Sequence, residues 1–406
     1  MTMILEEIRV IDLSHWILGP EAAGLLGDLG ADVFHVEQKG VGDQYRGVSH
    51  SAGVSMNLDQ GRHVFFENIN RNKRGIALDL KNPTAKDIMY RLVENSDVFI
   101  SNLEMSSIKS LRLDYDTLRQ INPKLIYAVG SGLGDQGPDA AVPSMDMTIT
   151  ARSGVMSLVG DGGKSGSEPG NMVPGFADEM GGIMVAFGII AALLARERHG
   201  MGQEVRVGAL GGMMIPLRMQ IGQYALTKTL MPRSPRTRPL SPTFSYYRCK
   251  DGAWIALGAM RDIEWEPLCQ AMERTDLLSD PRFDNVVRRS QNAVELVPTL
   301  DEVFAAKTRG EWCDILKQAK ITHSPVNTVP DLFSDPQVLE NNFIHDYEHP
   351  ALGNIQVIGS PWKFSETPVS IRRCAPEMGE HTEEILIEVG GYTWEDIIRF
   401  QEAGAI

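Results

Sequence analysis

The chain has 406 residues, of which 43% are hydrophobic and 23% charged. That length calls for two or more domains of ~100–200 residues, and the composition excludes wholesale disorder, collagen and a coiled-coil rod. A formal charge of −14, from 39 Lys+Arg against 53 Asp+Glu, excludes non-specific duplex DNA binding, which needs clustered cations; an anionic small ligand stays open where basic groups gather locally.

The N-terminus, MTMILEEIRVIDL, has no basic region and carries acids early, so it reads as a strand (Ile8–Leu13) rather than a signal peptide. Glu21–Leu29 reads as a helix, with Pro20 near its start and Gly30 after it. Strand Asp32–Val36 follows. Strand Ile76–Leu80, a helix over Pro83–Glu94 and strand Val98–Ile100 repeat the unit, and helix Tyr115–Ile121 with strand Leu125–Val129 repeats it again. Strand, helix, strand at this spacing predicts a parallel sheet with crossover helices. From about Met145 the pattern turns helical, over Met145–Val159 and Glu179–Arg198. Between them Gly160–Gly170 is a Gly/Ser-rich loop. Strand Val205–Val207 and helix Met213–Leu226 come next. The run 227–242, rich in Pro, Arg, Ser and Thr, reads as an extended linker. Phe244–Arg248 and Trp254–Leu257 flank Lys250-Asp251-Gly252, a hairpin signal, and open a smaller α+β region with helices near Ile263–Met272 and Gly310–Ala319. The C-terminus closes with helices near His381–Val389 and Thr393–Glu402.

Four cysteines, at 249, 269, 313 and 374, form no CxxC, which argues against a zinc ribbon or a disulfide scaffold and fits a reducing compartment. The longest apolar run, Met180–Ala195, falls short of the ~20 residues of a bilayer span and reads as a core helix. The expectation is a soluble, cytoplasmic protein without contact to nucleic acid or membrane. Nucleotide motifs fail. Gly130-Ser-Gly132-Leu-Gly134 lacks the last glycine of a dinucleotide fingerprint, and Gly163-Lys164-Ser165 has Leu158 where a phosphate loop needs glycine. Neither HExxH nor GxSxG occurs, so a metal or serine hydrolase is unsupported, and no metal is expected.

Two carboxylates stand out. Asp178, in Phe176-Ala177-Asp178-Glu179-Met180-Gly181-Gly182, sits where an apolar helix begins. One reading is an N-cap, worth ~1 kcal/mol. The other is a nucleophile kept ionised by helix-terminal amides, with glycines behind it that let a ligand or another backbone come close. Asp146 also begins a helix, either as a cap or as a group orienting a substrate beside Asp178. The basic cluster Asn70–Arg74 is either solvated surface or a seat for phosphates, as is Gln38-Lys39.

Gly19-Pro20 with LLGDLGADVFHVE (25–37), GDQYRG (42–47), NRNKRGIALDLK (70–81), INPKLIYAVGSGLGDQGP (121–138), FADEMGG and Gly200–Val207 resemble the class III CoA-transferases, the superfamily of formyl-CoA transferase and carnitine CoA-transferase. The likeness runs in order through about 1–210 and continues weakly through YYRCKDGAWIALGA (246–259) and GEHTEEIL (379–386). It implies an α/β fold: a Rossmann-like large domain built from both chain termini, a smaller α+β domain, and an interlocked dimer. The corresponding division is 1–215 for the N-terminal part of the large domain, 216–242 as linker, 243–325 as the small domain, and 326–406 as a linker and return to the large domain.

The resemblance also implies that Asp178 attacks an acyl-CoA, through aspartyl mixed-anhydride and aspartyl-CoA thioester intermediates, with the Gly160–Gly170 loop as a candidate lid. Coenzyme A thioester is then a substrate, and no cofactor is tightly bound. His15, Trp16, Ile17 and Leu18 resemble the family's segment beside CoA; Gln38, Lys39, Leu78, Asn102, Leu103 and Lys109 would continue that surface. The chain departs from its relatives at Ser110, where one has a CoA-contacting Arg, and at Pro143, which replaces a Lys; the glycine-rich stretch of formyl-CoA transferase before the hairpin is absent. The 2-methylacyl-CoA racemases share the superfamily but use a His immediately before the second carboxylate; here Met145 stands there, and a thioether cannot abstract a proton. A homodimer, or one subunit of a heteromeric transferase, fits the same resemblance. Apolar groups near the motif (Trp16, Met145, Met147) point to a bulky or aromatic acid such as benzylsuccinate, with succinyl-CoA as donor and Arg46 or a linker arginine holding a second carboxylate.

Overall fold

Short β-rich runs buried on both faces make the central sheet. The computed structural model describes residues 2–160, 168–231 and 233–406. Strands β1 (Arg9–Leu13), β2 (Asp32–Gln38), β3 (Lys73–Leu78), β4 (Val98–Ser101), β5 (Ile126–Ser131) and β6 (Gln203–Gly208) pair in the order β3-β2-β1-β4-β5-β6, every pair parallel. Val10 of β1 sits between Val33 and Val98, and all three are sealed from solvent. Continuous apolar runs of this kind are what a sheet covered on both faces demands.

The order is doubly wound, and the direction in which successive strands are added to the sheet reverses between β1 and β4. In such sheets the loops leaving the carboxyl ends of the two strands at that switch point part and leave a crevice.

The crossover helices follow local signals. α1 (Leu18–Asp28) ends against Gly30, whose φ of 111° suits a residue without Cβ. α2 (Val64–Ile69) is short. α3 (Pro83–Glu94) takes Pro at its first position, and the Asn82 side chain accepts from the Thr84 N–H. α4 (Met105–Leu111) and α5 (Tyr115–Ile121) follow, the latter capped by Asp114. α6 spans Asp146–Arg152, α7 Phe176–His199, α8 Ala209–Met214 and α9 Arg218–Thr227.

Three segments differ from the sequence reading. β3 begins at Lys73 rather than Ile76, so two basic residues enter the sheet. The helix expected over Met145–Val159 ends at Arg152, and Gly154 at φ 90° turns the chain. The helix expected over Met213–Leu226 divides into α8 and α9 around Pro216, which cannot donate to a helix ladder. α7, at 24 residues, is long and apolar enough to cross a membrane, and in this fold it packs on α1, β5, β6 and α8.

The chain falls into two compact units. The larger holds Met1–Val155, Met172–Leu226 and Asn341–Ile406. Its core joins Ile11, Phe34, Ile76 and Phe99 of the sheet to Ile385 and Ile397 of the C-terminal helices α14 (Thr382–Glu388) and α15 (Trp394–Glu402), numbered after helices α10–α13, which pack on the smaller unit's sheet. That smaller unit holds Met156–Asn171 and Thr227–Glu340, so the run 227–242, read from composition as a linker, and 326–340, the start of the linker and return that the resemblance implies, group with it. Its antiparallel sheet, β7 (Tyr246–Arg248), β8 (Trp254–Leu257) and β9 (His323–Val326), packs with α10 (Trp265–Ala271), α11 (Val286–Gln291), α12 (Ala293–Phe304) and α13 (Arg309–Gln318) around Tyr247, Leu268, Phe304 and Trp312.

Candidate active site

The switch point is bolted by one side chain. Asn102, just past β4, donates from Nδ2 to the His15 carbonyl at 2.6 Å and accepts the His15 N–H on Oδ1 at 2.9 Å, just past β1. The loop 14–17 is thereby fixed where it leaves the sheet. Trp16 within it has φ 64°, a left-handed conformation that a bulky residue adopts only when its surroundings impose it. Its ring meets Tyr45 edge-on at 5.1 Å, and Tyr45 meets Phe65 at 5.2 Å, forming an aromatic wall.

α7 brings its first turn to the same rim. Gly175 precedes the helix at φ 87°, and a Cβ there would stand 3.1 Å from Ile17 Cδ1. The glycines behind serve helix packing rather than ligand approach: a Cβ on Gly182 would meet the Leu18 carbonyl and the Glu21 Cβ of α1 at 2.9 Å. Asp178 is the third residue of α7, not its cap, and its carboxylate accepts no hydrogen bond among the described residues. The capping is done from elsewhere. Asp146, first residue of α6, accepts the Ala177 N–H on Oδ1 at 2.7 Å. One carboxylate is therefore tied to the helix end, and the other stands free beside it.

Electrostatics follow from this pairing. Burial, then the Asp146 charge, push the Asp178 carboxyl up to about 6. The expectation that helix amides hold it firmly ionised gives way, because those amides are spent on Asp146 and the chain. Asp178 stays mostly ionised at neutral pH, but as a more basic carboxylate than usual. Glu179 next to it is pushed up to about 7 by burial and by Glu21 and Asp178. Burial, then Asp178 and Glu179, push the Tyr45 phenol up as well, which places the aromatic wall within the field of these acids.

A half-buried carboxylate of raised basicity, unpaired among the described residues, at a switch-point crevice and backed by a second carboxylate, is equipped to attack an activated carbonyl. The CoA-transferase family III model matches residues 5–382. The chain belongs to CoA-transferase family III. This family III enzyme is 29% identical to (R)-2-hydroxy-4-methylpentanoate CoA-transferase of Clostridioides difficile, over 100% of both chains. It is 32% identical to succinyl-CoA:mesaconate CoA-transferase of Haloarcula hispanica, over 95% of this chain and 96% of that one. A solved CAIB/BAIF family protein from Brucella suis superposes with a TM-score of 0.85 at 27% identity, covering 96% of this chain and 100% of the other.

In this CoA-transferase the sequence-derived surface divides in two. His15, Trp16, Ile17 and Asn102 gather at the switch point beside Asp178 and Asp146. Leu18 is buried, its side chain filling the space over Gly130 and Gly181. The Leu78 side chain lies wholly in the core, so it cannot face a ligand; a buried apolar position at the end of a parallel strand leaves only its backbone, and its carbonyl already accepts the Lys39 N–H at 3.2 Å. Leu103 packs half-buried on the same core. Gln38 donates to Asp79 at 3.1 Å, while Lys39 and Lys109 are exposed, Lys109 on α4 near Asp114 and Arg206.

The cluster Asn70–Arg74 is neither solvated surface nor a phosphate seat. Lys73 is fully buried on Asp12; Arg71 and Asn72 hold Asp28; Arg74 holds Asp32, Glu384 and Glu388 and so docks α14 on β3. Arg46 is likewise committed, to Glu37 and the Pro376 carbonyl, with Phe66 beneath its guanidinium at 3.6 Å; among the linker arginines, Arg236 pairs with Asp301. Of the candidate lid Gly160–Gly170, residues 161–167 lie outside the described residues. Tyr45 and Phe65 escaped the sequence reading; an aromatic next to the GD motif (Gly42-Asp43) was the only signal available.

Proposed function

We propose that this CoA-transferase moves CoA from an acyl-CoA, with succinyl-CoA as donor, to a bulky or aromatic carboxylic acid of the benzylsuccinate type, through covalent bonds to Asp178. The reading rests on one observation: a half-buried Asp178 carboxylate, without a hydrogen bond among the described residues, beside the anchored Asp146 carboxylate.

An Asp178 oxygen attacks the donor carbonyl, the C–S bond breaks, and CoA leaves as thiolate. Asp178 now carries the acyl group as a mixed anhydride. The thiolate attacks the aspartyl carbon, expelling the donor acid and leaving an aspartyl-CoA thioester. The acceptor carboxylate expels the thiolate, which then attacks the acceptor's own carbonyl in the new anhydride and frees Asp178. No intermediate loses its activation, provided water is kept out. Asp146 holds the helix end in place while its charge keeps Asp178 basic. The Trp16–Tyr45–Phe65 wall supplies flat apolar surface that favours an aryl or branched acid over formate. Succinyl-CoA enters because the Haloarcula relative is named for it.

A matrix of CoA thioesters and free acids, read by mass spectrometry, tests the substrates. Aromatic and branched acids should accept CoA well and formate poorly, and the reverse order would overturn the acceptor class. Hydroxylamine added with donor thioester should inactivate the enzyme and leave a hydroxamate on the peptide containing Asp178. Full activity after that treatment would rule against the covalent route.

We also propose a dimer of identical chains. α7 leaves Ile183, Phe187 (69% exposed) and Leu194 uncovered, and α9 leaves Met219 and Leu226 (87% exposed), large apolar side chains that a second copy would cover. Sedimentation should give twice the 44.8 kDa chain mass, and Phe187→Glu should shift it toward the monomer. A monomeric wild type would refute the dimer.

A further inference from the structure

Three buried polar atoms without a hydrogen-bond partner converge beside the switch point: His15 Nδ1, His35 Nε2 and Asp43 Oδ2. Asp43 Oδ2 lies 3.7 Å from His35 Nε2 and 3.9 Å from His15 Nδ1. His35 and the Asp43 side chain are sealed from solvent. Such orphans are rare, because each costs ~1–3 kcal/mol of desolvation.

The network behind them is saturated. His35 Nδ1 stands 2.9 Å from Asp12 Oδ2, which also accepts from Lys73 Nζ at 2.9 Å; Ser14 donates to the other Asp12 oxygen. Burial alone would raise the Asp12 carboxyl, but Lys73 and His35 outweigh it and hold it far below the usual carboxylate range. An ionised Asp12 is acceptor only, so His35 must present N–H there. A neutral His35 then turns a lone pair toward Asp43, and two acceptors face each other. A proton at this junction relieves the conflict. Asp43 Oδ1 is taken by the Tyr45 N–H at 2.7 Å, so only Oδ2 is free to share it.

His15 links the junction to the rim. Its backbone is clamped on both sides by Asn102, its Nδ1 is buried toward Asp43, and its side chain keeps 22% exposure. Nε2 is neither buried nor hydrogen-bonded among the described residues, so it is the nitrogen solvent reaches. The next two residues, Trp16 and Ile17, line the Asp178 rim. A carboxylate behind Nδ1 with Nε2 outward is the arrangement that makes an imidazole a proton carrier.

We infer that His15 is a catalytic acid–base for the CoA sulfur, with Asp43 and His35 as its positioning residues. This rests on the covalent transfer reading above. The thiolate expelled from the donor thioester takes the Nε2 proton of a His15 imidazolium, and Nε2 then takes that proton back, leaving the thiolate that attacks the aspartyl carbonyl carbon of the anhydride; the same exchange repeats when the acceptor expels the thiolate. The two halves cancel, and no proton is consumed. The His15 imidazolium faces the Asp43 carboxylate. Burial disfavours that cation and holds the imidazole below its usual value, with His35 adding to the effect; Asp43 in the loop after β2, Asp12 of β1 and Glu37 of β2 offset part of it.

The test reads the sulfur directly and separately from turnover. CoA is bound to the Asp178→Asn protein, which cannot form the aspartyl bond, and thiolate absorbance is followed against pH. The thiol should ionise at least about one pH unit lower than in the same protein carrying His15→Gln, a tenfold change. In the otherwise native enzyme His15→Gln should lower kcat by about 10²-fold with KM for the donor thioester little changed, and imidazole should partly restore His15→Ala. Equal thiol ionisation with and without His15 overturns the inference, as does a loss confined to KM. Failure of the transferase reading looks different: CoA would not bind the Asp178→Asn protein, or that variant would still turn over.

Discussion

Asp178→Ala abolishes transfer, lowering kcat by on the order of 10⁴-fold or more, while the melting temperature holds or rises. The loss is large because no other group replaces the bond to the acyl carbon. The Glu179 carboxyl is one residue on along α7, and burial, then Glu21 and Asp178, push it up to about 7, which makes it a poorer anion than Asp178. Stability holds because the Asp178 carboxylate makes no hydrogen bond among the described residues, and its removal relieves repulsion with Asp146 and Glu179. The wild-type pH profile carries the same signature. Asp178 must be ionised to attack, so kcat/KM rises with pH through about 6 and is lost below it. Asp146→Asn keeps an oxygen for the Ala177 N–H but removes the charge, so the acid limb should move to lower pH. An unmoved limb, or normal turnover by Asp178→Ala, would remove Asp178 from the centre of the chemistry.

Much of this arrangement could be read along the chain, because its signals are local. β1, β2, β4 and β5 are short β-rich runs dominated by buried apolar residues, and α3 and α5 carry their own caps in Asn82 and Asp114. Asp178 was visible because an acid opens a long apolar helix. The misreadings are equally physical. β3 was placed three residues late because Lys73 and Arg74 look like solvent-facing charge, and only the fold supplies Asp12, Asp32, Glu384 and Glu388 to neutralise them. Asp146 could not be seen to cap α7, since its target Ala177 lies 31 residues on. The His15–His35–Asp43 junction was invisible for a stronger reason. Its members leave β1, lie within β2 and follow β2, and only the parallel pairing of Asp12 with His35 brings them to one point.

The second large effect is on stability. Lys73→Met should cost about 3–5 kcal/mol of unfolding free energy, the usual penalty for breaking a buried charge pair from one side. Lys73 is wholly buried, and its three N–H donors are all used: Asp12 at 2.9 Å, the Pro20 carbonyl at 2.7 Å and Asn70 Oδ1 at 2.8 Å. Met fills the volume but leaves three acceptors facing an apolar chain, one of them a charged carboxylate. The sign with pH is definite. Asp12 is depressed in the folded protein, so its share of stability is present above the ordinary carboxylate range and disappears only in strong acid. Without Lys73 its folded pKa rises, and the deficit of the variant should shrink as pH falls and Asp12 takes a proton. Asp12→Asn added to Lys73→Met should recover part of the loss at neutral pH, because the second change removes the stranded charge. Urea unfolding of the single and double variants measures both. The competing role, a phosphate contact for CoA, predicts the opposite split: an unchanged unfolding midpoint with a raised KM for the donor thioester.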